Sequence, residues 1–184
     1  MATPGTLPTL MDRFDHAEYR LCRRLNRGVE HASIRLFFMA VSRLGDGVIW
    51  YALMGVLPLI YGAPGLRISA IMLATSAIGL AVYKLLKRIF VRERPFIRHP
   101  GISLAGAPLD RYSFPSGHTL HAVAFTWQAC AAFPELGFVL VPLALSIAAS
   151  RVVLGLHYPT DVLVGALLGA GFGILGTLAG GLFT

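Results

Sequence analysis

The sequence predicts an all-α integral membrane protein, a bundle of five transmembrane helices, or of six if one additional segment crosses the bilayer. The first observation is composition, because 55% of the 184 residues are hydrophobic, 14% are charged and the mean hydropathy is +0.67. About a quarter of the residues of a soluble domain are charged. The second observation is a series of long apolar runs, and the third is the Pro- and Gly-rich turns that separate them.

The N-terminal part of the chain, residues 1–44, is predicted to be a tail followed by amphipathic helices at the membrane interface. Apolar residues recur there at three- to four-residue steps among charged ones, as in a helix on a membrane surface. They are Phe14, Leu21, Leu25, Val29 and Ala32. A frayed polar tail is the alternative. No apolar core follows the short basic region, so a signal peptide is not expected. The apolar run 36–42 is too short for a full span.

Residues 45–184 are predicted to form the membrane-embedded domain. Its five apolar segments cover residues 48–61, 68–83, 119–133, 138–149 and 162–182. The Gly62-Ala-Pro-Gly65 turn separates the first two segments, which are therefore expected to form a helical hairpin. A polar, Pro- and Gly-rich connection over residues 89–115 follows this hairpin.

The last predicted span carries a ridge of small residues. Its members are Gly165, Gly169, Gly173, Gly176 and Gly180. Such ridges let helices approach each other closely. Packing inside the bundle is the favoured use of this ridge, and a homodimer face is the alternative.

Residues 150–161 gather an arginine, a histidine and an aspartate between two apolar runs, and we interpret them as the catalytic centre. Pro159 suits the first turn of a new helix, which places Asp161 about one helical turn beyond His157. A carboxylate at that position accepts a proton from one imidazole nitrogen and leaves the other as a nucleophilic lone pair. A His–Asp pair that only caps a helix at the membrane interface is the alternative.

A second stretch with chemical potential is Phe114-Pro-Ser-Gly-His118, where the long connection re-enters the membrane. Ser116 and Gly117 precede a helix, so their backbone donors and the Ser116 hydroxyl are expected to converge on an anion. His118 lies on the first turn and faces the same opening. His121 is interpreted as a satisfied wall residue.

The third stretch contains Lys87 and Arg94, seven residues apart at the end of the second span. Pro95 biases Arg94 away from helical geometry, so both cations are expected to face one pocket. Three neighbouring basic residues are interpreted as anchors at the membrane interface. They are Arg88, Arg92 and Arg98.

These stretches read Lys-x6-Arg-Pro at 87–95, Pro-Ser-Gly-His at 115–118 and Ser-Arg-x5-His-x3-Asp at 150–161. Together they resemble the three signature motifs of the type 2 phosphatidic acid phosphatase family, and bacterial membrane members in particular. The motifs occur in order and without a substitution, and the resemblance covers residues 45–182.

The resemblance implies a metal-independent phosphatase that works through a phosphohistidine. His157 would attack phosphorus, Asp161 would support it, and His118 would protonate the leaving oxygen. Five further residues would hold the phosphoryl oxygens. These are Lys87, Arg94, Ser116, Gly117 and Arg151.

The distribution of acidic residues also argues against a metal site or another cofactor. A two-metal phosphatase binds its ions through several carboxylates. The connection and re-entry region offers only Glu93, Asp110 and Asp161. Arginine and lysine are therefore expected to supply the positive charge. Cys22 and Cys130 show no metal-ligand spacing and imply no disulfide framework.

The expected substrate is a membrane lipid with a terminal phosphate or diphosphate, because the motifs lie at span ends, at headgroup depth. Undecaprenyl diphosphate, phosphatidylglycerophosphate and phosphatidate rank first, and a polyprenyl-phosphosugar phosphate follows. A lipid phosphotransferase with the same intermediate is the nearest alternative. An anion channel or transporter is less favoured, because it does not explain the two histidines. The expected partners are lipids and the bilayer, and no nucleic acid.

The predicted location is the bacterial cytoplasmic membrane, with the site facing the cytoplasm. With five spans, only Arg67 of the 16 Lys and Arg residues lies on the side opposite the site. The positive-inside rule then assigns the site to the cytoplasm. If residues 36–42 belonged to a tilted sixth span, the site would face outward, as is usual in the family.

Overall fold

The computed structural model describes residues 10–108 and 110–181, with side chains from Asp15 onward. All regular elements in this part of the chain are helices, as predicted. They are α1 (Leu10–Asn26), α2 (Ala32–Leu44), α3 (Val48–Ile89), α4 (Pro95–Arg98), α5 (Gly117–Ala132), α6 (Gly137–Val153) and α7 (Pro159–Ala179), with 3₁₀ turns at Arg27–Glu30 and Pro134–Leu136.

The long helix α3 is two antiparallel arms joined by a bend. The backbone of Gly62 leaves helical geometry there, with φ 62° and ψ −133°. The Ser69 hydroxyl of the second arm donates to the Met54 carbonyl of the first at 2.7 Å. At Gly65, an added Cβ would lie 2.1 Å from the carbonyl oxygen of Leu57. Only glycine permits this approach, and the predicted hairpin is confirmed.

Three helical segments are long and apolar enough to cross a membrane among the described residues. They are Val48–Ile89, Pro134–Val153 and Pro159–Ala179. Large apolar side chains point away from the bundle on these segments, with Leu59 84% and Phe138 88% exposed. This apolar exterior is typical of a lipid-facing surface, and the protein is a helical membrane bundle. A total of five or six spans stays a prediction.

The N-terminal helix α1 packs on the bundle through a face that the apolar pattern did not predict. Glu18, Cys22 and Asn26 are buried, whereas Leu21 and Leu25 are exposed. These positions are spaced by four residues, so each set forms one face of the helix. The predicted amphipathic helix is present, but its protein-facing side carries polar groups.

The end of α1 is fixed by hydrogen bonds to two distant segments. Asn26 Nδ2 donates to the carbonyls of Ser103 at 2.9 Å and Val153 at 2.8 Å, and Ser103 N–H donates to Asn26 Oδ1 at 2.7 Å. Helix α2 packs against α6. The N-terminal helices therefore belong to the bundle, and the domain boundary at residues 44 and 45 stays a prediction. Phe14, part of the predicted apolar face, has its side chain outside the described residues.

The glycine ridge of α7 lies against α5. An added Cβ would lie 2.5 Å from the Ser116 carbonyl oxygen at Gly165, and 2.4 Å from the Leu120 carbonyl oxygen at Gly169. At Gly173 it would lie 2.7 Å from a side-chain atom of α5. The ridge is therefore used inside the bundle, the use that we favoured, and because α5 covers it the structure gives no support to a homodimer face on it.

We expect Gly169→Ala to destabilise the protein and Gly171→Ala not to. Both changes gain about 0.5–1 kcal/mol in helix propensity. At Gly169 the new methyl would lie 2.4 Å from Leu120 O, whereas at Gly171 nothing lies within 4 Å. Overpacking of this kind costs about 1–3 kcal/mol. Thermal unfolding in detergent micelles measures the difference, and a melting temperature of Gly169→Ala at or above that of Gly171→Ala would contradict the contact.

Candidate active site

The eight residues predicted for the site converge at one end of the bundle. They come from the end of α3, the following connection, the start of α5, the end of α6 and the turn into α7. They are Lys87, Arg94, Ser116, Gly117, His118, Arg151, His157 and Asp161.

The turn between α6 and α7 positions His157. Gly155 has φ 75°, and an added Cβ there would lie 2.7 Å from the Ser103 carbonyl oxygen. This left-handed conformation favours glycine. Leu156 N–H and His157 N–H both donate to the Arg151 carbonyl, at 3.1 and 2.9 Å. The chain thus reverses tightly and holds the imidazole close to the arginine.

The imidazole of His157 is buried between a carboxylate and a guanidinium. Its Nδ1 lies 3.6 Å from Asp161 Oδ2 and has no closer partner within the described residues. Its Nε2 lies 3.2 Å from Arg94 Nη1. Tyr158 N–H donates to Asp161 Oδ2 at 2.8 Å, which fixes the carboxylate at the start of α7. Nδ1 thus faces the carboxylate and Nε2 faces Arg94, but at 3.6 Å the expected hydrogen bond between Asp161 and the ring is not formed in this structure.

The surroundings of His157 favour its neutral form. Burial lowers the pKa of the imidazole, and the charges of Arg151 and Arg94 lower it further, to well below the ordinary 6.5. Charged imidazolium is disfavoured both by the loss of hydration and by the like charges. The lone pair needed for nucleophilic attack is therefore present at neutral pH.

Lys87 and Arg94 face one pocket, but they share an internal anion there. Helix α3 ends at Ile89, so the two residues do not lie on one continuous helix. Lys87 Nζ and Arg94 Nη2 donate to Asp110 Oδ1 at 2.5 and 2.8 Å, and the Tyr83 hydroxyl donates to Asp110 Oδ2 at 2.7 Å. Burial favours a higher pKa for Asp110, but the hydrogen bonds from Lys87 and Tyr83 outweigh it and lower the pKa to about 2.

Arg151 is the third cation of the pocket and is only 1% exposed. Its Nη1 donates to the hydroxyl of Ser42 on α2. Its Nε has no hydrogen-bond partner in the described part of the chain. A buried guanidinium with an unused donor is available to a ligand that brings acceptor oxygens.

The start of α5 differs in one respect from our prediction. Ser116 caps the helix, but its N–H donates to the Asp161 carbonyl at 3.0 Å, and its hydroxyl lies 2.9 Å from that of Thr119. The backbone donor of Ser116 is therefore not directed at an anion, because it joins α5 to α7. The N–H groups of Gly117 and His118 belong to the first turn, where a helix leaves donors without internal partners.

His118 has a carboxylate partner that sequence reasoning missed. Its Nε2 lies 2.5 Å from Oδ1 of Asp46, in the short turn between α2 and α3. A cavity of about 210 Å³, lined in part by Trp50 and His121, opens beside this pair. His121 Nδ1 bonds the Gly117 carbonyl at 2.9 Å and is a satisfied wall residue, as predicted. The Gly-Asp-Gly turn directly before a span is the signal that could have identified Asp46.

Our prediction that Arg92 is an anchor at the membrane interface is wrong, because its side chain binds two carboxylates at the site. Its Nη1 donates to Asp161 Oδ1 at 2.7 Å, and its Nη2 donates to Glu18 Oε2 at 2.5 Å. The connection after α3 turns inward, which directs this side chain away from the surface. Sequence reasoning missed Glu18 and assigned Arg92 to the membrane interface, because both residues lie in segments rich in charge.

The pocket of this helical membrane bundle contains a His–Asp pair, a second histidine and three cations. Sites of this class suit tetrahedral oxyanions such as phosphate. The sequence profile of the PAP2 superfamily matches residues 68–181. The chain therefore belongs to the PAP2 superfamily, in agreement with the resemblance of its motifs.

Two similar proteins of bacteria are named as phosphatases. The chain is 40% identical to decaprenylphosphoryl-5-phosphoribose phosphatase of Mycobacterium tuberculosis over 103 residues, 55% of each chain. It is 35% identical to undecaprenyl-diphosphatase BcrC of Bacillus subtilis over 89 residues, 48% of this chain and 46% of BcrC. The chain thus spans about half the length of these relatives.

A solved structure shares the fold. The transmembrane PAP2 type phosphatidylglycerolphosphate phosphatase of Bacillus subtilis superposes with a TM-score of 0.73 at 21% identity. The alignment covers 94% of this chain and 88% of that protein. The helical membrane architecture is therefore that of a PAP2 type structure.

We expect the His157 ring to stay neutral until the pH falls well below 6.5, because its lowered folded-state pKa delays protonation. The Nε2 lone pair would be lost only as the pH falls through that lowered value. Histidine ¹⁵N NMR of the labelled protein in micelles follows the ring during a titration, and His157→Asn identifies its signals. A midpoint at or above 6.5 would contradict the electrostatic description of the site.

Proposed function

We propose that the protein is a membrane lipid phosphatase that removes a terminal phosphate or diphosphate group through a phosphohistidine intermediate. One observation carries this proposal: His157 Nε2 lies 3.2 Å from Arg94 Nη1, while its Nδ1 faces Asp161 Oδ2 at 3.6 Å. A phosphoryl group bound by the arginine would therefore lie in front of the nitrogen that bears the lone pair.

In the proposed first step, His157 Nε2 attacks phosphorus as the bond from phosphorus to the leaving oxygen breaks. His118 gives its proton to that oxygen, and Asp161 stabilises the charge that develops on the His157 ring. Water then attacks the phosphohistidine, His118 takes one of its protons, and the N–P bond breaks to release phosphate.

Five of the eight site residues would hold the phosphoryl oxygens without a metal ion. Phosphoryl transfer needs positive charge spread over three equatorial oxygens. Guanidinium groups supply this charge together with directional donors. The proposed oxygen-binding groups are the side chains of Lys87, Arg94, Ser116 and Arg151 and the backbone of Gly117. The substrate would displace Asp110 from two of them, because Asp110 now bonds Lys87 and Arg94.

A lipid substrate is supported by an apolar groove that begins beside the site. The groove has a volume of about 750 Å³ and lies between α5, α6 and α7. Thr119 and Pro159 line its end near the site, and Cys130 and Val141 line its far end. A long hydrocarbon chain would lie in this groove while its phosphate enters the cationic pocket.

The substrates that we propose first are polyprenyl-linked phosphates. Two relatives named above are called decaprenylphosphoryl-5-phosphoribose phosphatase and undecaprenyl-diphosphatase. Phosphatidylglycerophosphate and phosphatidate are the glycerolipid candidates.

The test is an assay of the purified protein in EDTA on a panel of these lipids. We expect phosphate release from at least one lipid at the rate seen without EDTA, and an acid-labile, base-stable phosphoenzyme from labelled substrate. His157→Ala should abolish both signals. His118→Ala should slow release by about 10²- to 10⁴-fold, since general-acid help is worth that much. His31→Ala, at an exposed histidine, serves as the matched control.

Three results of this assay would contradict the proposal. Near-normal hydrolysis by His157→Ala would show that His157 is not the nucleophile. Activity lost in EDTA and restored by Mg²⁺ would require a metal ion. Phosphate that appears only on an added alcohol, and never in water, would identify a phosphotransferase.

We also propose that the site faces the cytoplasm from the bacterial cytoplasmic membrane. Twelve Lys and Arg residues would share the site's side once Lys87, Arg94 and Arg151 are set aside, against Arg67 alone on the other. Cytoplasmic surfaces of membrane proteins carry such an excess of positive charge.

A single cysteine at Arg98, whose side chain is 53% exposed, reports the orientation. With Cys22 and Cys130 replaced, we expect Arg98→Cys in intact cells to resist a membrane-impermeant thiol reagent and to react after lysis, because the cytoplasm shields it. A matched reporter at Arg67 should react from outside. Labelling of Arg98→Cys in intact cells would reverse the assignment.

A further inference from the structure

The carboxylate of Asp161 is bound through its second oxygen by an arginine that the proposed mechanism does not use. Arg92 Nη1 donates to Asp161 Oδ1 at 2.7 Å, and Arg92 Nη2 donates to Glu18 Oε2 at 2.5 Å. The side chains of Asp161 and Glu18 are 0% and 4% exposed. The guanidinium carbon also lies 3.9 Å from the ring centroid of Tyr158. The planar fork thus joins two buried carboxylates.

Glu18 is also bonded to the first turn of α7. Its Oε1 accepts from the backbone N–H of Thr160 at 2.9 Å and from the Thr160 hydroxyl. Arg92 Nη1 donates to the same hydroxyl at 2.8 Å. Thr160 directly precedes Asp161, and its N–H is one of the donors that a helix start leaves without an internal partner. Glu18 therefore fixes both the arginine and the backbone that carries Asp161.

We propose that Arg92 and Glu18 are positioning residues, which hold the Asp161 carboxylate so that Oδ2 faces His157 Nδ1 and the His157 Nε2 stays free of hydrogen. The inference rests on the proposed function only for its kinetic consequence. Its structural content, the tautomer of His157, is independent of which reaction the site performs.

The physical reason lies in the two nitrogens of a neutral imidazole. One nitrogen carries the proton and the other carries a lone pair. The groups that surround the two nitrogens decide which is which, because an acceptor favours N–H and a donor favours the lone pair. The acceptor that faces His157 Nδ1 is Asp161 Oδ2, at 3.6 Å, and Oδ2 is itself held 2.8 Å from Tyr158 N. If the carboxylate turned away, Nδ1 would lose this acceptor. Only the contact of Arg94 Nη1 with Nε2, at 3.2 Å, would then oppose a proton on that nitrogen, and in the part of the population that carries Nε2–H this nitrogen would no longer be a nucleophile.

A second ion pair between the same two segments provides the comparison. Arg98 Nη2 lies 3.7 Å from Asp15 Oδ2, also between α1 and the connection after α3, but both side chains are about half exposed. Exposed pairs of this kind contribute little to stability. This pair does not contact Asp161. Substitutions in it therefore measure the effect of losing a contact between α1 and the connection while the contacts of Asp161 are kept.

The experiment compares Glu18→Gln, Arg92→Gln and Arg92→Lys with the control variants Asp15→Asn and Arg98→Gln. Histidine ¹⁵N NMR of the full-length protein in micelles at neutral pH reports the His157 tautomer. We expect only Nδ1–H in the wild type and in both controls. Glu18→Gln and Arg92→Gln should show a fraction of Nε2–H. Arg92→Lys should fall between, because an ammonium keeps the charge but lacks the planar fork.

The kinetic arm uses the lipid that the wild-type protein hydrolyses. Glu18→Gln and Arg92→Gln should lower kcat by about 10- to 100-fold, since small displacements of a reacting group have effects of this size. KM should stay within about twofold, because Lys87 and Arg94 are unchanged. If the substitutions weakened phosphate binding and left the His157 tautomer unchanged, KM would rise instead.

The outcomes separate this inference from the proposed function. A His157 that keeps pure Nδ1–H in folded Glu18→Gln and Arg92→Gln overturns the positioning role, whatever the activity. Equal kcat losses in Asp15→Asn and Arg98→Gln overturn it as well, because they would show a general effect of α1 docking. If a Gln variant fails to fold, Arg92→Lys decides with the same readout. A wild-type protein that hydrolyses no lipid overturns the proposed function and leaves the tautomer test intact.

Discussion

The close backbone contact between α5 and α7 is the constraint on which the rest of the site depends. Gly165 lies so near the Ser116 carbonyl that an added Cβ would be 2.5 Å away, and Ser116 N–H donates to the Asp161 carbonyl at 3.0 Å. The starts of the two helices are thereby joined. The start of α5 and the His157–Asp161 pair then face one space, and a larger residue at Gly165 would separate them.

Burial of several charges in one pocket is the second constraint, because an unpaired buried charge is costly. Asp110 compensates Lys87 and Arg94 at the same time. Arg151 is hydrogen-bonded only to a hydroxyl among the described side chains and keeps an unused Nε. Arg151 is therefore the least compensated of the three cations, and its charge acts on His157, where an incoming phosphoryl group would bring three negatively polarised oxygens.

Features set by local chain geometry could be predicted from the sequence. The hairpin follows from Gly62, which bends its own helix. The close packing of α7 follows from glycines at four-residue spacing, because such a ridge lets another helix approach, whichever helix that is. The meeting of the three motifs followed from their positions at span ends. The roles of Glu18 and Asp110 could not be predicted, since each pairs with a residue of another segment, and charge-rich segments do not show which charge turns inward.

Helix α1 shows most clearly why the apolar pattern alone does not predict which face of a helix packs on the protein. A helix at a membrane surface is expected to bury apolar residues and expose polar ones. Here Leu21 and Leu25 face outward, where a bilayer would cover them, and Glu18 and Asn26 face the protein. Buried polar groups need partners. Asn26 finds them at Val153, the end of α6, and at Ser103 in the connection, while Glu18 finds Arg92. Through Arg92, helix α1 is thus linked to the carboxylate that faces His157, so the docking of α1 on the bundle is coupled to the geometry of the site.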